Sequence, residues 1–399
     1  MPIFDQGYQH WKGALSSRVW RWLPITKQGL RGQLKGSLTL ARLLLLMTLL
    51  PALALVVAMA LWGLVEQKSE TILSFAQNIF PPSITADPHA YRHAVWTIAY
   101  SIFFQVELYC IMLLVVLVGP NLISRDLRFN ALPLYFSRPI TRFDYFLGKL
   151  GVIAALVAAI AVLPAVAAYI LGVCFSLDLT VIRDTWRLLP ASILYGMIIV
   201  VSAGTLMLAL SSLSRRSLYV GIAWVGLWII SSTVSTALDG IQQQTFFRTA
   251  WQEAQEAQAK QERNDGSHDA GRLASARNQR MRNASMDAWQ RAQELKAEAA
   301  KIDWRPLCSY TANLQRLGQG LLNTDAAWVE IGRAAEVPRS VVNTISGRGG
   351  SDPVNDRRLA DQMVPQQHPW TWSAGVLAGL LGLSIWILST RVKSLDRLK

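Results

Sequence analysis

GPNLISRDLRFNALPLYFSRPITRFDYFLGK, residues 119–149, is a polar stretch between two long apolar runs. The run before it, 94–118, is almost uncharged, and the run after it, 150–175, has no charge at all. A polar stretch between two membrane-length helices must lie at one face of the bilayer. Cationic residues outnumber acidic ones in it, which favours the cytoplasmic face. The cations are Arg125, Arg128, Arg138, Arg142 and Lys149, and the acids are Asp126 and Asp144.

The same stretch also carries apolar residues between its charges, which predicts short amphipathic pieces that dock against another surface. Thr141-Arg-Phe-Asp144 has the pattern of a capping box, so a helix is predicted to start at Thr141. Pro139 keeps Arg138 out of the helical region, and a break is expected before that start. The alternative is an ordinary basic loop, because the charge bias of cytoplasmic loops already explains its cations.

The composition indicates an integral membrane protein. Of 399 residues 52% are hydrophobic, 15 are tryptophan, and the mean hydropathy is +0.26. A bilayer core about 30 Å thick needs about 20 apolar residues per helix. Six runs qualify, and they predict an all-α membrane protein with six transmembrane helices: 40–64, 94–119, 150–175, 187–212, 217–238 and 370–390.

The formal net charge of +13 follows the predicted topology. With six spans and both termini in the cytoplasm, the excess of Lys and Arg falls on the cytoplasmic side, so no nucleic-acid partner is needed to explain it. Cys110, Cys174 and Cys308 fit no disulfide framework or zinc motif. His89 and His93 lack a third ligand, so no metal site is predicted.

No phosphate-binding glycine loop or hydrolase motif occurs in the sequence, so the chain is not expected to be an enzyme on its own or to hold a cofactor.

Three domains are predicted from the span positions. Residues 1–238 hold spans one to five and an amphipathic N-terminal helix within 1–39, which would lie on membrane lipids. Residues 239–369 follow five spans and therefore lie outside the cytoplasm, with Phe246–Gln261 and Ala270–Ile302 as the two helices of a hairpin. Its apolar stripe is thin, so we expect residues 242–302 to lean on an outer partner or a second copy. Residues 370–399 supply span six and a cytoplasmic tail.

One motif resembles the type-2 ABC transporter permeases. It runs from an acid through a small-polar-Leu group and Ser-Arg-Pro-x-x-Arg to a Gly-Lys that enters a helix. The residues are Asp126, Asn130-Ala131-Leu132, Ser137-Arg138-Pro139, Arg142 and Gly148-Lys149. The resemblance covers the six spans, residues 119–149 and residues 304–337, while 242–302 lies outside it. Asp126 departs from the family, since many relatives carry Glu there.

The resemblance implies a permease of the cytoplasmic membrane that pairs with a second permease copy and with two ATPase subunits, which bind ATP and Mg. ATP binding would drive export through a coupling helix in 119–149 that contacts the ATPase. The residues implied for that contact are Asp126, Arg128, Asn130, Leu132, Tyr135, Arg138, Pro139 and Arg142. The resemblance also implies amphipathic helices at the outer surface in 304–337.

Two other functions are alternatives to export. An energy-transducing scaffold would pass ATPase-driven movement to an outer partner protein. A secondary transporter is disfavoured, because no inverted repeat or matched pair of broken spans is visible.

Glu107 and Gln105 are the candidate residues of a substrate pathway. A carboxylate at mid-bilayer costs about 2.5 kcal/mol or more, so Glu107 should not face lipid. Protonation, a hydrogen bond to a neighbouring helix, or a wet cavity would each accommodate it. If it faced the central pathway, it would favour cationic or hydrogen-bond-donating substrates.

Overall fold

The computed structural model describes residues 20–35, 38–80, 82–137, 140–176, 178–264, 291, 304–345 and 368–391, and this part of the chain is all-helical. The α-helices in chain order are α1 (Leu23–Lys35), α2 (Leu38–Glu66), α3 (Glu70–Ile79), α4 (Pro82–Ala86), α5 (Arg92–Val118), α6 (Pro120–Arg128), α7 (Leu132–Phe136), α8 (Arg142–Val157), α9 (Leu163–Ser176), α10 (Thr180–Thr185), α11 (Leu188–Ile199), α12 (Thr205–Leu213), α13 (Ser217–Asn264), α14 (Tyr310–Leu322), α15 (Thr324–Ile345) and α16 (Trp370–Arg391).

Within the described residues six helical stretches are long and apolar enough to cross a membrane, as the sequence predicts. They are Leu49–Glu66, Arg92–Arg128, Arg142–Ser176, Thr180–Leu213, Ser217–Glu253 and Trp370–Arg391. The chain is therefore a multi-pass membrane protein.

Helix α5 forms the centre of the membrane domain. It is apolar all round, the pattern of a helix buried on most sides, and it packs against α2, α14 and α15. Aromatic side chains fill its contacts: the ring of Trp96 meets that of Tyr169 at 5.8 Å, and Phe104 meets Tyr195 at 5.2 Å. The Tyr100 hydroxyl donates to the Ala165 carbonyl at 2.8 Å, which satisfies a polar group in the core.

Two spans contain a π-helical turn near their middle. Ala158–Val162 separates α8 from α9, and Val200–Gly204 separates α11 from α12. Pro164 follows the first turn, and its missing N–H disturbs the regular hydrogen-bond ladder there. The π turn at Ala158–Val162 lies just before this proline.

Helix α13 runs without interruption for 48 residues, from Ser217 to Asn264. The sequence predicts a span ending at residue 238 and a separate hairpin helix over Phe246–Gln261. The structure joins the two, so no helix boundary falls at the predicted domain border of 238–239. Of the second hairpin helix, 270–302, only Arg291 is described, and it pairs with Glu253 of α13 at 3.1 Å.

Helix α14 lies between the spans, not at the outer surface as the resemblance implies. It packs against α5, α11, α13 and α16. The Tyr310 hydroxyl is 2.9 Å from the Ser202 hydroxyl, and Gly318 lies so close to Tyr195 that an added Cβ would be 2.6 Å from the ring. Asn323 then ends α14 with a positive φ of 57°, a conformation that Asn tolerates well.

Candidate coupling surface

Residues 119–149, which we call the coupling segment, fold into α6, α7 and the start of α8. Gly119 and Pro120 separate α6 from α5, and proline is well suited to this first helical position. The predicted capping box is confirmed: Thr141 accepts from the Asp144 amide at 3.1 Å, and Asp144 accepts from the Thr141 amide at 3.0 Å. Arg138 and Pro139 lie outside the described residues.

Ser211 of α12 holds the first turn of α6 in place. Its hydroxyl accepts hydrogen bonds from the amides of Ile123 and Ser124 at 3.1 and 3.0 Å, and donates to the Pro120 carbonyl at 2.9 Å. Ile123 and Ser124 are the fourth and fifth residues of α6. A side chain from a distant span therefore bonds to the first turns of α6 and fixes it to the membrane domain.

Asp126 is engaged within the chain. Lys149 Nζ lies 2.7 Å from Asp126 Oδ2, and the Tyr145 hydroxyl donates to the same oxygen at 2.8 Å. The two charged side chains are only 9% and 14% exposed. The Lys149 ammonium also lies over the rings of Tyr135 and Tyr145, at 5.6 and 5.5 Å. Asp126 thus links α6 to α8, a position that differs from the ATPase contact implied for it.

The Gly-Lys pair of the motif has a structural explanation in this site. Lys149 supplies the cation of the ion pair. Gly148 allows α1 to approach α8, since an added Cβ would be 2.7 Å from Ile25. The Thr26 hydroxyl donates to the Gly148 carbonyl at 2.9 Å. The N-terminal helix is thereby anchored to the same helix as the coupling segment.

The distal surface of the coupling segment is formed by Arg128, Phe129, Asn130, Leu134 and Phe143. Phe129, Leu134 and Phe143 are 66%, 72% and 71% exposed. The Arg128 guanidinium lies 5.6 Å from the Phe129 ring centre, and Asn130 has the positive φ of 48° that the turn into α7 requires. Leu132, Tyr135 and Arg142 are half-buried beneath this surface. Of the residues implied for the ATPase contact, only Arg128 and Asn130 are fully exposed within the described part of the chain.

The opposite end of the spans contains an ionic cluster that the sequence analysis missed. Arg92, 1% exposed, donates from Nε and Nη2 to the two oxygens of Glu66 at 2.7 and 2.8 Å. It also reaches Asp178 and Asp184, each at 3.3 Å, and its Nη2 lies 2.7 Å from His89 Nδ1. We call these five residues the Arg92 centre. It joins α2, α5 and α10. The sequence feature that could have predicted it is the presence of opposite charges next to the span ends at one face.

Asp178 stays ionised in this cluster over a wide pH range. Hydrogen bonds from the hydroxyl and the amide of Thr180 lower the pKa of Asp178 to about 2, with a smaller contribution from Arg92. Arginine only donates, so His89 meets it through an unprotonated Nδ1.

The two predicted pathway residues lie on different faces of α5. Glu107 is 0% exposed, and neither carboxylate oxygen has a hydrogen-bond partner among the described residues. The expectation that Glu107 faces a wet pathway is therefore not met, because its own chain encloses it. Gln105 is exposed at the same depth, since two residues correspond to about 200° around a helix.

Comparisons with protein-family models, with curated proteins and with solved structures find no match for the chain.

Proposed function

We propose that this chain is the membrane-spanning subunit of an ATP-driven exporter, moved by a separate ATPase that binds the distal surface. The observation that carries this proposal is that exposed apolar side chains lie on a segment held to the spans by buried contacts of α6 with α8 and α12. Phe129, Leu134 and Phe143 are 66%, 72% and 71% exposed on the coupling segment, and exposed apolar side chains among polar ones are typical of protein docking sites.

The base beneath the distal surface connects it to several spans. Asp126 and Lys149 link α6 to α8, and Ser211 links α6 to α12. A displacement of the distal surface by the ATPase would be transmitted to these spans through buried hydrogen bonds and an ion pair. In this mechanism the ATPase binds ATP and Mg and supplies the movement, while the permease chain supplies the pathway.

The proposal is tested by ATPase activity that copurifies with the full chain from its native membrane. Leu134→Asp and Phe143→Asp should each lower that activity about tenfold, which corresponds to ~1.4 kcal/mol of binding free energy. A carboxylate buried at a protein interface without a partner costs at least this much.

Leu179→Asp is the matched control, because Leu179 is 80% exposed at the opposite end of the spans. It should leave copurifying activity unchanged. Equal activity in all three variants, or no copurifying ATPase from native membranes, would contradict the proposal.

Helix α13 favours a second candidate function, an energy-transducing scaffold. A continuous helix of 48 residues is about 72 Å long, more than twice the length that a bilayer core requires. Movement of its start at Ser217, next to the coupling segment, would be carried to residues far outside the membrane. A partner that binds the outer part of α13 and responds to ATP hydrolysis would favour this function over export.

A further inference from the structure

A group of uncharged polar side chains lies on the face between α5 and α14. Ser101 and Gln105 of α5 face Gln315 and Gln319 of α14, and Phe104 and Tyr195 form the floor between them. We call this feature the amide groove. Its cavity has a volume of about 20 Å³, which admits a single water-sized group at a time.

The amide groove lies within the depth of the membrane spans. Gln105 is near the middle of the 27-residue helix α5, about 20 Å from either end. Tyr195 lies seven residues after the start of α11 at Leu188, about 10 Å into that span. Both residues therefore lie within the depth of their spans and not at the helix ends.

Contact with lipid is unfavourable for this face, because its amide side chains make few hydrogen bonds in the part of the chain that the structure describes. Within the described residues the side chains of Gln105 and Gln319 make no hydrogen bond, and that of Gln315 makes only a long one of 3.4 Å to the Tyr109 hydroxyl. Moving an amide from water to hydrocarbon without a partner costs about 4–8 kcal/mol. Several such groups side by side within the spans are therefore expected to face water or a polar ligand.

We propose that the amide groove is a water-accessible binding surface for uncharged groups that carry hydroxyls or amides, on the substrate pathway of the exporter. The role of this surface in binding a substrate rests on the proposed function, whereas its access to water does not. A glutamine amide donates two hydrogen bonds and accepts at its oxygen, and a serine hydroxyl does both, so the groove can match either kind of group.

The groove does not select cations. Among the described residues no ionised side chain lines it, and Glu107 is buried on a different face of α5. The substrate class therefore differs from the cationic one that a pathway-facing Glu107 would favour.

Water access is measured by thiol labelling of the full chain in its native membrane. In a variant with Cys110, Cys174 and Cys308 replaced by alanine, Gln105→Cys and Gln319→Cys should react with the uncharged reagent hydroxyethyl methanethiosulfonate. Met197→Cys is the matched control, because Met197 is 53% exposed at the same depth and points away from Tyr195. Both groove positions should react about tenfold faster than position 197, since the reactive thiolate needs water.

Selectivity is measured with charged reagents of the same family. At position 105 the ratio of cationic to anionic reaction rates should match that of the free thiol 2-mercaptoethanol in solution, and should not change on Glu107→Gln. A preference for the cation that Glu107→Gln abolishes would overturn the uncharged substrate class.

Two results would overturn the site itself. Gln105→Cys that reacts as slowly as Met197→Cys would mean that lipid or protein covers the groove. Gln105→Cys that is protected and forms disulfide-linked dimers would assign the groove to contact with a second copy. Neither measurement needs an ATPase, so a result that contradicts the groove can be distinguished from one that contradicts the exporter proposal.

Discussion

At the scale of single residues, each end of the spans is held by buried charges in this chain. Lys149 is paired with Asp126 beneath the coupling segment, and Arg92 is paired with Glu66 at the far end. Buried ion pairs contribute little net stability but are costly to break, because the remaining charge has no partner. Their role here is to fix which helix ends lie together.

The ion pair between Asp126 and Lys149 predicts a non-additive effect on stability. Lys149→Met and Asp126→Asn should each lower the free energy of unfolding, Lys149→Met by about 3 kcal/mol because it leaves a carboxylate unpaired. The double variant should lose less than the sum of the two, since no charge is left behind. Thermal unfolding of the purified chain in detergent measures this, with exposed Arg128→Ala as the control. Strict additivity would contradict the pairing.

The sequence shows which residues of the coupling segment are charged, but not which of them meet. Asp126 and Lys149 are 23 positions apart, and their contact depends on how α8 folds back against α6. The capping box at Thr141 was predictable because it is local to one helix end. Glu107 left three environments open in the sequence, and the structure gives a buried side chain without a polar partner among the described residues.

At the scale of elements, the continuity of α13 predicts a rigid link between the membrane and the outer residues. Spin labels at Thr236→Cys and Glu256→Cys should give one narrow distance distribution near about 30 Å, the rise of 20 helical residues. Gly240→Ala should leave it unchanged, since nothing lies within 4 Å of an added Cβ there, and should stabilise the helix by about 1 kcal/mol.

Gly240→Pro should broaden that distribution, because proline removes a hydrogen bond and clashes with the preceding turn. Both labels are tested by electron–electron double resonance on the purified chain. A broad distance distribution in the labelled protein that keeps Gly240 would show that α13 bends or is interrupted between the two labels.

The positions of the apolar spans were readable from hydropathy, whereas helix ends outside them were not. Hydropathy falls after residue 238, but the Ala, Gln and Glu residues that follow are good helix formers, so α13 continues. The resemblance implied amphipathic helices at the outer surface in 304–337, but the polar residues of α14 do not face away from the spans. They lie instead beside the amide groove and in buried contacts such as Tyr310 with Ser202.

At the scale of the whole molecule, span parity predicts opposite locations for the two polar regions. A cysteine at Asn130 should be protected from an impermeant thiol reagent in intact cells, and one at Glu256 should be labelled, both in the cysteine-free background. Five spans separate the N terminus, which is expected in the cytoplasm, from Glu256, and two separate it from Asn130. After membrane disruption both should react. Labelling of position 130 with protection of position 256 would invert the topology and remove the docking argument for the distal surface.

The Arg92 centre has a consequence for biosynthesis. Glu66 ends the first span and Arg92 begins the second, 26 residues later. At about 5–20 residues per second of translation, the carboxylate waits on the order of seconds at the membrane before its arginine leaves the ribosome. Asp178 and Asp184 arrive only after two further spans. Spans one and two would therefore settle as a pair, and the later spans would close onto a guanidinium already held in place.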